Sequence, residues 1–160
     1  MLFIRPPSPL QRAQAHAREL MAIKRFDLAE PALRKVLSLA PDDATATRQL
    51  ASCLLLLRRL DEALDFAQRT ISLAPDSPAA HTVLSAVYSG RYEHDKAVAP
   101  AMEALRLQPD YFHAFFALAE IAKMTARWQE AMDWCTRGLA VKPDHVGLKR
   151  ILSLALAKLG

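Results

Sequence analysis

The chain has 160 residues, 21 Lys+Arg against 17 Asp+Glu, and a net charge of +4. Ala (29) and Leu (25) fill 54 positions, whereas Val, Ile and Thr together fill 17 and Gly only 4, a composition that excludes a β-sandwich or barrel. With 52% hydrophobic and 24% charged residues it is no disordered chain, and +4 is too mild for a dedicated duplex-binding domain.

Taken in order, residues 1–8 hold Pro6 and Pro7 and read as an extended arm. The apolar stretch Leu2-Phe3-Ile4 is too short for a signal peptide. Nine helices are predicted, near 9–22, 26–39, 43–57, 60–73, 77–90, 94–107, 111–124, 128–141 and 145–159. Pro31 is expected in a first helical turn, where its missing N–H costs little, and Pro100 deeper, where it should bend its helix. The run Cys53-Leu54-Leu55-Leu56-Leu57 falls far short of the ~20 apolar residues of a membrane span, so a cytoplasmic location is expected.

Prolines punctuate these helices at a fixed period. Pro41, Pro75, Pro109 and Pro143 are 34 residues apart, each followed by Asp: Asp42, Asp76, Asp110 and Asp144. Each Pro ends a helix, and the Asp after it is expected to cap the next. Ser77-Pro78 adds a cap followed by a first-turn proline. Twelve residues before each Pro stands Ala29, Ala63, Ala97 or Ala131, and twenty-four before stands Ala17, Ala51, Ser85 or Ala119. Small residues at two such places let paired helices approach closely, and each hairpin needs a neighbour to bury its apolar face.

This 34-residue helix-turn-helix pattern resembles the tetratricopeptide repeat (TPR) family. With Pro at position 32 of the unit, the repeats are 10–43, 44–77, 78–111 and 112–145. The large apolar position 7 is Leu50, Leu84 and Leu118 but His16 in the first repeat, and the loop aromatic position is Phe26 and Trp128, with Leu60 and His94 as departures. The resemblance implies an all-α fold: a right-handed α-solenoid of four repeats with an extra helix. Residues 146–160 read equally as a capping helix or as the first helix of a fifth repeat, with Gly160 at the family's loop-glycine position. With nothing following, Ile151 or Leu154 should be partly exposed and support weak self-association, unless the native chain continues.

The glycines at 90, 138, 147 and 160 form no phosphate loop. Of the five histidines no two share a helix, and Cys53 and Cys135 stand alone in apolar runs and read as free buried thiols, so no metal site or cofactor is expected. Ser77 with His81 reads as a helix cap rather than a nucleophile and base. Asp61-Glu62 and Glu93 with Asp95 read as charges at helix starts, and the chain is not expected to be an enzyme.

The resemblance further implies that certain first-helix positions line a concave groove. They supply Arg18, Met21, Arg48, Leu55, His113, Phe116, Lys123, Met124 and Arg150 as candidate peptide-binding residues. Five cations, Lys158 among them, face one anion, Glu120. The family's clamp for acidic chaperone C-termini needs Lys, Asn, Asn, Lys and Arg; Gln14, Arg18, Gln49, Ala79 and Val83 stand there instead, and later phases match no better. RNA-binding hairpin repeats run one residue longer with a recurring recognition pair, which is lacking here. The expected function is therefore a non-enzymatic adaptor binding an acidic, partly apolar peptide or helix of another protein, without nucleic acid or membrane insertion. The alternatives are the TPR portion of a longer enzyme or membrane protein, and a chaperone of a bacterial secretion substrate.

Overall fold

A computed structural model describes residues 6–160; the first five residues of the expected N-terminal arm lie outside them. Among the described residues the chain forms nine α-helices and no strand: α1 (Pro9–Ala22), α2 (Phe26–Leu39), α3 (Ala44–Leu56), α4 (Leu60–Leu73), α5 (Pro78–Gly90), α6 (His94–Leu107), α7 (Phe112–Met124), α8 (Trp128–Val141) and α9 (Val146–Leu159).

The helix starts follow from local chemistry. Ser8 and Gln11 form a reciprocal capping box ahead of Pro9, with the Gln11 N–H donating to Ser8 Oγ at 3.1 Å and the Ser8 N–H to Gln11 Oε1 at 2.8 Å. Ser77 Oγ accepts the Ala80 N–H, with Pro78 as first helical residue. Asp43 Oδ1 accepts the Ala46 N–H at 2.9 Å, and His145 Nδ1 the Leu148 N–H at 3.1 Å. The expectation for the Asp after each proline is corrected here. The N-caps are Asp43, Ser77, Tyr111 and His145, so Asp42, Asp76, Asp110 and Asp144 stand one residue too early. Pro31 is corrected too: α2 starts at Phe26, which puts the proline in its second turn. Both proline-containing helices are continuous, and the carbonyls freed four residues back belong to Asp27 and Lys96, exposed residues that water reaches.

The second helices end where a residue preceding proline leaves the helical region: Ala40, Ala74, Gln108 and Lys142 have φ of −141°, −145°, −142° and −135°. The elbows within hairpins are tighter. Lys24, Arg58, Tyr92 and Ala126, again 34 residues apart, adopt left-handed φ of 58°, 62°, 63° and 55°. Around each, two hydrogen bonds close a Schellman motif, for example the Arg127 N–H to Ala122 O at 2.8 Å and the Ala126 N–H to Lys123 O at 3.1 Å. Glycine would enter this region freely, whereas each of these side chains is strained there.

The chain divides into two compact units, with the boundary between Pro75 and Asp76. In the first, α1 packs on α2, α2 on α3 and α3 on α4. Its core holds Ala17, Leu33, Leu50, Ala51, Leu54 and Ala63, all at most 1% exposed. The thiol of Cys53 on α3 donates to the Phe26 carbonyl of α2 at 3.1 Å. In the second unit the small position of α5 is Ser85, whose buried hydroxyl donates to Ala97 O of α6 at 2.7 Å. At Gly138 of α8 a Cβ would lie 2.6 Å from Leu148 Cδ1 and 3.1 Å from Phe115 Cβ, so its absence lets α9 approach. Leu148, Ile151 and Ala155 of α9 close a core with Ala119, Ala122, Ala131 and Cys135. Ile151 is thus buried, contrary to one branch of the sequence expectation, while Leu154 is 41% exposed.

Two outcomes are expected in urea unfolding. Ala63→Leu and Ala97→Leu should each lower stability by about 1–3 kcal/mol, because neither fully buried site has room for the added carbons. Ala126→Gly should raise it by roughly 0.5–1 kcal/mol, the relief of left-handed strain exceeding the entropy lost with glycine. A lower midpoint for Ala126→Gly would mean that the elbow carries no strain.

Candidate functional site

Within the first unit a cleft of about 300 Å³ opens between α1, α2 and α3. Leu33 and Val36 of α2, both 1% exposed, contribute its apolar surface; Gln14 and Arg18 of α1 and Asp43, Thr45 and Gln49 beside or on α3 contribute the polar groups. The Gln14 amide donates to Asp43 Oδ2 at 2.8 Å, so this carboxylate, which also caps α3, has both oxygens engaged. Of the residues chosen from sequence, Arg18 lines this cleft. Arg48 and Leu55 are half-buried on α3 and Met21 is half-buried on α1. Among the described residues neither Arg18 nor Arg48 has an anionic partner, so both charges remain available. Gln49, Asp43 and the second-helix residues Leu33 and Val36 were missed as candidates. Their signal was weak, since they match no family clamp residue and Leu33 and Val36 read as ordinary core.

The second unit treats its candidates differently. Lys123 is paired with Glu120 one turn earlier, which neutralises one of the five expected groove cations. Phe116 is half-buried: its ring lies 5.0 Å from that of His145, and a Cβ on Gly147 would come within 3.0 Å of its Cε2. Phe116 therefore packs on the start of α9. His113, Met124 and Arg150 are exposed on α7 and α9, and Arg150 has no anionic partner among the described residues.

One member of each acidic pair, Glu62 and Glu93, is held as an anion. Hydrogen bonds from Arg59, then Arg34, keep Glu62 below the usual carboxylate range, and Lys96 with Arg91 does the same to Glu93. Glu62, Arg34, Glu30 and Arg59 form a closed ring of ion pairs joining α2 to the start of α4. A general acid needs the opposite shift. Burial pushes both thiols up to about 11, so neither cysteine is an activated nucleophile. Among the described residues no group of three His, Cys, Asp or Glu side chains could hold a metal ion, and no helix is long and apolar enough to cross a membrane.

The tetratricopeptide repeat family model matches residues 15–78. No curated protein sequence matches the chain. Among solved structures, TTC0263, a thermophilic TPR protein of Thermus thermophilus, superposes with a TM-score of 0.87 at 20% identity, over 94% of this chain and 83% of that one. MamA from Desulfovibrio magneticus RS-1 gives 0.72 at 18% identity, over 86% and 77%. A mutant of Thermobaculum terrenum O-GlcNAc transferase gives 0.72 at 25% identity, over 80% of this chain but 26% of the enzyme. Residues 15–78 thus match the tetratricopeptide repeat model, and the helical hairpins on either side of Pro75 give the chain the fold of the tetratricopeptide repeat proteins it superposes on.

Proposed function

We propose that the chain is a non-enzymatic adaptor whose first-helix faces bind an acidic, partly apolar peptide or helix of another protein. The TPR fold supports a protein-interaction role in general. The observation that carries the finer reading is the cleft of the first unit, where apolar Leu33 and Val36 meet the uncompensated charge of Arg18, with unpaired Arg48 on the neighbouring helix. An acidic side chain gains a charge-assisted contact there while its aliphatic neighbour buries against the cleft. In the second unit Arg150 offers the same charge and exposed Met124 an adaptable apolar contact. Phe116 would then contribute its exposed edge while its other surface holds α9.

A second reading rests on one observation. The likeness to O-GlcNAc transferase covers 26% of that enzyme, so an array of this kind also serves as a segment of a longer enzyme.

The test begins with capture of a partner on the intact chain and identification of the bound segment. Binding of that segment to wild type is then compared with the Arg18→Glu/Arg48→Glu double variant. The double variant should associate at least about tenfold more slowly at low salt, lose most of its salt dependence and keep its unfolding midpoint, since charges with no anionic partner in the fold mainly steer encounter. Unchanged association of the double variant would remove the first unit's cleft from the function.

A further inference from the structure

We infer that the imidazole of His145 makes the docking of α9 responsive to protons. Its Nδ1 accepts the Leu148 N–H at 3.1 Å and so caps α9, which requires an unprotonated Nδ1. The ring is held in a fitted seat. Phe112 and Phe116 of α7 flank it at centroid distances of 4.7 and 5.0 Å. On the α9 side the seat exists because residue 147 is glycine: a Cβ there would stand 2.9 Å from His145 Cε1.

A second proton turns Nδ1 into a donor facing another donor. It also sets a cation at the positive end of the α9 dipole. The surrounding charges give little relief. Lys142 lies 5.2 Å over the Phe112 ring, and Asp144 is fully exposed with its carboxylate 3.7 Å from Lys149. From α7 the other titratable rings are Tyr111 and His113, the latter beside Phe112. Proton binding and capping of α9 exclude one another, so acidification favours the open helix.

The other capped first helices lack this property. Ser8 and Ser77 cap with hydroxyls and Asp43 with a carboxylate, none of them an imidazole. The device therefore acts on α9 alone. What α9 covers is the apolar surface of Ala119, Ala122 and Ala131, with Trp128 and Trp134 packed at its margin.

Hydrogen exchange on the intact chain tests the inference, with protection factors of the Leu148 and Lys149 amides taken relative to that of Ala80, the amide capped by Ser77. From pH 8 to pH 5 this ratio should fall about tenfold in wild type, the worth of one cap and one unfavourable charge. In His145→Asn, and in His145→Ser if the first variant folds poorly, the cap persists without a titrating ring, and the ratio should move less than twofold. His113→Gln should retain the wild-type response. A constant ratio in wild type, an equal fall in both His145 variants, or loss of the response in His113→Gln would overturn the inference.

Discussion

The close approach of paired helices at small residues is the constraint on which the rest of this structure depends. Ala17, Ala51, Ser85 and Ala119 on first helices and Ala29, Ala63, Ala97 and Ala131 on second helices are all at most 1% exposed. In α5 and α6 the separation is short enough for Ser85 to donate directly to the backbone of Ala97. Once the helices cross this closely, the elbow between them has few residues in which to reverse direction. The left-handed turn at Lys24, Arg58, Tyr92 and Ala126 is what that geometry demands, whichever side chain happens to stand there. Gly138 extends the same logic to the seat of α9.

With the backbone so arranged, the surface sorts its charges. Many acidic residues are spent on ion pairs next to the elbows and along second helices, as with Arg25 and Asp27, Arg91 and Glu93, Arg106 and Glu103, and Arg127 and Glu130. Such exposed pairs contribute little stability individually. They hide charge of both signs in local dipoles, which leaves Arg18 and Arg48 in the first unit and Arg150 in the second as arginines without an anionic partner among the described residues.

The helices were legible in the sequence to within a residue, because proline and small residues recur at one period and each has a steric meaning. The elbow conformation was not legible. Lys, Arg, Tyr and Ala carry no left-handed preference, and the hydrogen bonds that impose it join residues five and three apart across the turn. The first-helix starts moved by one residue because Asp43, Ser77 and His145 act as caps outside the helix, and a residue after proline is not automatically the cap. Ile151 and Leu154 looked alike as apolar residues of one helix. Only the packing of α9 against Ala119 and Ala131 distinguishes the buried side from the open one. Arg18, which lines the cleft, was chosen from the groove positions that the family resemblance implies, whereas Gln49 and the second-helix pair Leu33 and Val36 required knowing how α1, α2 and α3 diverge. The pairing of Lys123 with Glu120 was readable as a one-turn spacing, and treating the groove as a sum of charges overlooked it.

The two cysteines have a practical consequence. Cys53 lies in the first unit and Cys135 in the second; both are fully buried, and burial pushes both thiols up to about 11. A thiol reagent reaches either sulfur only while the surrounding hairpins are parted, so the labelling rate at each counts the openings of its own half of the molecule. The native chain thus carries one chemical clock per unit, and the ratio of the two labelling rates ranks the halves by their ease of opening without any substitution or attached probe.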